Sequence, residues 1–171
     1  MNKYLNKQTL VKDISLKLLS EGKTVRIKAH GYSMYPCIKP GSLILIEPIH
    51  LKSDPVPGEI IAIRRENGLV VHRLSNIIIK NGVRLYIARG DSNAYSDYPV
   101  TIDKIAGRIV RAETTGENPV LADIRINLKP NYVRNRLRVI YLTIVLRIRR
   151  YCPQVFSPLP PKGGSNSYLA Y

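Results

Sequence analysis

Ser33 lies in Gly31-Tyr32-Ser33-Met34-Tyr35-Pro36, a small hydroxyl between a flexible glycine and a rigid proline. Serine is a poor nucleophile at its own pKa and needs a base within hydrogen-bond reach. His72, in Leu69-Val70-Val71-His72-Arg73-Leu74, is the histidine that strand packing would hold in place. An imidazole accepts a proton near neutral pH, and a carboxylate fixes its tautomer and stabilises the imidazolium. Asp91, after Gly90, and Asp97, six residues on, supply two such acids in a turn-rich segment. Either can orient His72, with the other bracing the loop. Hydroxyl, imidazole and carboxylate in this order point to acyl transfer.

The other histidines fit less well. His30 has the opposite strand parity to Ser33, and His50 falls in an expected loop. A lone histidine in a strand is usually structural, so His72 carries weight only with its partners. For the developing oxyanion the Ser33 amide is the natural donor, with Gly31 allowing a close bend and a second donor coming from elsewhere in the backbone. No His/Cys cluster has ligand spacing, so neither metal nor cofactor is expected. Cys37 and Cys152 do not make a disulfide framework, and Cys37 reads as a small buried packing residue.

Strands must position these groups. Leu10, Val11, Ile14, Leu18 and Leu19 recur at helical spacing, with Thr9 as N-cap and Gly22 as stop, predicting a short helix against the core. Thr24–Ala29 then alternates, and Leu43–Ile46, Glu59–Ile63, Leu69–Leu74, Ile77–Ile79, Leu85–Ala88 and Ile105–Val110 follow as short apolar runs. Asn67-Gly68 and Asn81-Gly82 are hairpin signals. The expected fold class is mainly β: an antiparallel, partly closed barrel with an N-terminal helix and a basic, helical C-terminal appendage.

The chain has 171 residues, 44% of them apolar, enough for one domain and an appendage. Its formal net charge is +15. Residues 1–113 contribute +8 (18 basic against 10 acidic), and the shorter remainder contributes +7 (9 against 2). Such a field favours an acidic partner, unless it is only a solvated basic surface. Tyr132–Arg150 carries the apolar run Val139–Leu146 between two sets of three arginines. It is too short to span a bilayer but suits a helix lying on anionic head groups; a helix or strand docked on the domain with its arginines in water fits equally.

The expected organisation is a helix over 1–22, a catalytic β domain over 23–113, a linker over 114–131, the basic amphipathic segment over 132–150 and a disordered tail over 151–171. Lys3, Lys7, Lys12, Asp13 and Lys17 interrupt the start of the chain, so neither a signal peptide nor a membrane anchor is expected there. A cytoplasmic location follows, with peripheral contact at the inner membrane face left open.

The box Gly31–Pro36 followed by Pro40-Gly41-Ser42-Leu43-Ile44-Leu45-Ile46 resembles the nucleophile box of the signal peptidase I and LexA-like self-cleaving repressor superfamily. Pro57-Gly58-Glu59-Ile60-Ile61-Ala62 resembles its next strand, with Gly-Glu where Gly-Asp is usual. Val71-His72-Arg73 stands where bacterial members place a lysine base. A histidine there, with Gly90-Asp91 and Asp97 beyond it, is similar to the archaeal, sporulation-type and endoplasmic-reticulum branch of signal peptidases. Ile105-Ala106-Gly107-Arg108-Ile109-Val110 resembles the closing strand, and the likeness covers roughly residues 22–113.

The resemblance implies Ser33 as nucleophile, His72 as general base, Asp97 as orienter and Asp91 as essential support, with Gly31, Met34 and Pro36 shaping the site. It further implies a serine endopeptidase without cofactor that cleaves an extended precursor or signal-like peptide after small residues. Lacking the anchor, the chain reads as a soluble variant that trims a precursor peptide. Two other readings stand beside it. One is a non-catalytic module whose groove holds an extended peptide, against which the intact Ser33, His72 and Asp97 argue. The other is nucleic-acid binding, but the 22 residues before the first strand are too few for a helix-turn-helix domain, and no nucleic-acid partner is expected.

Overall fold

The computed structural model describes residues 3–49, 54–66, 68–113, 121–122 and 130–151. Contacts divide the chain into two compact units, Met1–Val139 and Ile140–Tyr171. The first unit is mainly β. Its strands are β1 (Val25–Lys28), β2 (Leu43–Pro48), β3 (Ile60–Arg65), β4 (Gly68–Lys80), β5 (Val83–Arg89), β6 (Ile105–Glu113) and the two-residue β7 (Leu121–Ala122). All pair antiparallel in one sheet of order β1-β2-β6-β3-β4-β5, with β7 on the far end of β6. Among the described residues the path is open, with β1 and β5 as its ends.

The central strand β3 is apolar on both faces because both are covered. Ile60 and Ala62 enter one core cluster with Val25, Ile44, Ile46 and Ile109. Ile61 and Ile63 point the other way, into a second cluster with Leu74, Tyr86 and Ile105. Period-two alternation in a doubly covered strand yields this division directly.

Three local differences from the sequence reading have physical causes. The runs expected as separate strands at Leu69–Leu74 and Ile77–Ile79 form one strand, β4, because a bulge between Leu74 and Asn76 absorbs the polar Ser75. The first helix, α1, starts at Lys3 rather than after Thr9. Of its expected apolar face, Leu19 is buried in the core and Leu18 packs partly against it, whereas Leu10, Val11 and Ile14 are exposed. The helix ends as expected at Gly22, whose φ of +80° and the Lys23 N–H bond to the Leu18 carbonyl (2.9 Å) close its last turn.

The Asn81-Gly82 hairpin has φ of 51° and 76° at its two central residues, with Lys80 opposite Val83. Both positive angles are what a two-residue type I′ turn requires. The other hairpin signal involves Asn67, which lies outside the described residues, as do His50, Cys152, most of the expected linker and the expected tail beyond Tyr151. The second helix, α2 (Tyr132–Tyr151), covers the basic amphipathic segment. Among the described residues no helix is long and apolar enough to cross a membrane.

Candidate active site

β1 delivers the chain into a tight turn that carries Ser33. Gly31 holds φ at +78°, a conformation that L side chains rarely adopt, with open space where a Cβ would stand. Met34, 4% exposed, plugs into the core beside Val25 and Ile38 and anchors the turn from below. The Ile38 N–H donates to the Met34 carbonyl at 2.9 Å, and the Tyr35–Pro36 peptide is cis. Ser33 is left on the wall of a cleft of about 890 Å³, which Gly31, Met34 and His72 also line. Val11 and Ser15 of α1 also line the cleft, so Val11 of the helix's exposed apolar residues faces it.

His72 comes from β4, opposite Ile61 of β3, and is 6% exposed. Its Nδ1 lies 2.6 Å from Asp97 Oδ2. Asp97 is positioned by its own backbone, whose N–H donates to the Ala88 carbonyl of β5 at 2.8 Å. With Nδ1 engaged, the remaining ring nitrogen is the one available to a substrate or nucleophile. Among the described residues no hydrogen bond joins Ser33 to His72; the two share the cleft.

Asp91 is turned elsewhere. It is 2% exposed, and Arg73 Nε and Nη2 donate to its two oxygens at 2.9 and 2.8 Å. Arg73 also donates from Nη1 to the Gly58 carbonyl (2.8 Å) and from Nη2 toward Cys37 Sγ (3.4 Å). Burial pulls the guanidinium's pKa down, but the bonds and charge of Asp91 outweigh it and leave it raised. Burial pushes the Cys37 thiol up, against the opposing pull of Arg73.

The segment between the acids is tied to the serine turn. Ser92 N–H donates to the Ser33 carbonyl at 2.9 Å, and Ser92 Oγ donates to the Tyr32 carbonyl at 2.6 Å. Gly90 packs so closely that a Cβ there would stand 2.7 Å from the Ser33 carbonyl oxygen. Arg89 then clasps the far side of the loop through the Asn93 and Ala94 carbonyls. Its guanidinium sits 3.7 Å over the Tyr132 ring, and buried Asn135 donates from Nδ2 to the Asp91 carbonyl at 3.1 Å. Burial raises the Tyr132 hydroxyl pKa, with Arg89 pulling the other way.

The family pattern described as Peptidase S24-like matches residues 3–110. The chain belongs to the Peptidase S24-like family. Ser33, His72, Asp91 and Asp97 all fall within the S24-like match, whereas Tyr132 and Asn135 lie beyond it. Membership places the chain in the signal peptidase I and LexA-like superfamily and supports a peptidase-type function. A comparison with curated proteins gives no match. Among the described residues no three His, Cys, Asp or Glu side chains gather as metal ligands.

Sequence reasoning missed four supporting residues. Arg73 carried a usable signal: a charge inside an apolar strand, next to His72, needs a buried partner. Ser92, Arg89 and Asn135 carried none, since their roles are contacts to backbone carbonyls set by the fold.

Proposed function

We propose that this S24-like chain is a serine endopeptidase of the Ser-His-Asp branch, with Ser33 as nucleophile, His72 as general base and Asp97 as orienter. The 2.6 Å contact of His72 Nδ1 with Asp97, together with the cleft that His72 and Ser33 both line, is the observation that carries the reading. Asp97 holds the Nδ1–H tautomer, which leaves Nε2 as the base facing the cleft. Nε2 takes the Ser33 hydroxyl proton as Oγ adds to the scissile carbonyl, and the Ser33 N–H is a donor for the resulting oxyanion. The same imidazolium returns the proton to the leaving amine, and water then releases the acyl group from Ser33.

Asp91 acts at one remove. Paired with Arg73, it fixes the loop whose Gly90 and Ser92 press on the Ser33 carbonyl. Gly31, Met34 and Pro36 shape the turn around the nucleophile.

The substrate class is an extended precursor or signal-like peptide cut after small residues. Among the described residues β1 is an end strand of the sheet, and its residues line the cleft, so its outer edge offers backbone pairing to an extended chain. The test is a library of extended peptides incubated with wild type, Ser33→Ala and His72→Ala, with cleavage points mapped by mass spectrometry. Cleavage confined to wild type supports the reading. Uncut peptides throughout would make the groove a binding module, and equal cutting by Ser33→Ala would remove Ser33 from the chemistry.

A further inference from the structure

α2 has two unlike sides. At about 100° per residue, Tyr132, Asn135 and Val139 fall on one side. Asn135 is 5% exposed there and holds the Asp91 carbonyl, while Tyr132 takes the Arg89 guanidinium. The opposite side is apolar and bare. Val133 (72% exposed), Leu137 (61%), Ile140, Tyr141, Ile144 (52%) and Ile148 follow one another at spacings of three, four or one along it. They make a stripe about 100° wide, the width that core-facing helices normally bury.

Arginines flank that stripe on both edges. By the same angular count, Arg134 and Arg138 fall along one edge and Arg136 and Arg147 along the other, with Arg149 and Arg150 further round the helix. The helix has no acidic residue at all. A second copy of α2 is a poor occupant, because four like charges would line its own four across the seam. A nucleic-acid backbone would satisfy the arginines and leave the stripe in water. An anionic lipid surface satisfies both: aliphatic and tyrosine side chains enter the head-group boundary while flanking arginines meet phosphates. The helix is not long and apolar enough to cross the bilayer, so it would lie in its plane.

We propose that α2 docks the protein on anionic phospholipid through the stripe from Val133 to Ile148 and its two arginine edges. The inference does not rest on peptidase activity. It is tested by floating the full chain with phosphatidylcholine vesicles made with and without phosphatidylglycerol. Co-flotation is expected only with phosphatidylglycerol and weakens with salt, since exposed charges are screened beyond ~10 Å at 0.1 M.

Two variants separate the contributions. Leu137→Glu/Ile144→Glu places acids in the stripe at exposed positions and abolishes flotation. Arg134→Gln/Arg136→Gln/Arg138→Gln weakens partitioning by about fivefold per arginine, or roughly a hundredfold together. Circular dichroism establishes that both variants keep the wild-type fold. No flotation of wild type, equal flotation on phosphatidylcholine alone, or flotation unchanged by either folded variant overturns the proposal. Salt-sensitive retention on duplex DNA without flotation also overturns it, and assigns the arginines to nucleic acid.

Discussion

Arg73 holds both carboxylate oxygens of Asp91, at 2.9 and 2.8 Å, on the side of β4 opposite His72. Successive strand residues point to opposite faces, so His72 and Arg73 divide the two acids between them. Asp97 goes to the imidazole and Asp91 to the guanidinium. One acid contacts the imidazole, and the other fastens the loop that carries them both.

That division predicts different phenotypes for the two carboxylates. Removing Asp91 leaves the Arg73 charge buried without its partner, which costs about 3–5 kcal/mol. Urea titration of Asp91→Ala is expected to show a loss of that size, with activity falling alongside the folded fraction. Asp97, whose side chain is 20% exposed, is cheaper to change. Asp97→Asn is expected to unfold within about 1 kcal/mol of wild type while kcat drops about 10⁴-fold, the size seen when a triad acid loses its charge. Equal stability losses in both variants would contradict the division.

Gly90 and Gly82 offer a matched pair. A Cβ at Gly90 meets the Ser33 carbonyl at 2.7 Å, and backbone cannot yield as a side-chain tip can. Gly90→Ala is expected to cost about 1–3 kcal/mol and to lower kcat by shifting the Ser33 turn. Gly82→Ala meets open space, and its strain comes only from a φ of +76°. It is expected to cost about 1 kcal/mol with kcat and KM unchanged. Parallel thermal melts and turnover assays check both.

The sequence made some of this structure readable. Asn81-Gly82 marked a hairpin because the residues that tolerate positive φ are few. The alternation of Val25, Ile27 and Ala29 with Arg26 and Lys28 reappears in the burial of β1. Ser33, His72 and the two acids stood out by residue type and order. Ser75-Asn76 read as a strand break, since a bulge leaves no signature that separates it from a turn. The apolar positions of α2 that stay in the open could not be told from a docked face, because periodicity shows a stripe but not what covers it. Asn135 lies 44 positions from Asp91 and reaches a backbone carbonyl, which no side-chain pattern records.

Asn135 nevertheless has a measurable role. Asn135→Ala leaves the buried Asp91 carbonyl without its donor, an expected loss of about 1–3 kcal/mol. Because that carbonyl belongs to the acid loop, kcat is expected to fall while KM stays near the wild-type value. A stability loss with unchanged kcat would show that α2 braces the fold without positioning the acids.

Cys37 gives a pH-dependent test. Burial raises its thiol pKa above the ordinary 9.0, so the native state keeps the proton where the unfolded chain releases it. The sign follows from linkage: the folded state is favoured below the unfolded value and loses ground as pH climbs through and beyond it. Alkylation of the native protein by iodoacetamide at neutral pH is expected to be slow, and rapid once urea is added. The stability loss of wild type above pH 9 is expected to shrink in Cys37→Ala.

The central claim is that Ser33 is acylated with His72 as its base, and trapping the acyl group tests it without any assumption about the natural substrate. An activated ester of a short peptide ending in alanine is mixed with the protein, quenched in acid and read by intact-mass and peptide-level mass spectrometry. Wild type is expected to gain one acyl group, located on Ser33, with labelling far slower in His72→Ala and absent in Ser33→Ala. An adduct on another residue, equal labelling of Ser33→Ala, or no labelling of wild type would contradict the account.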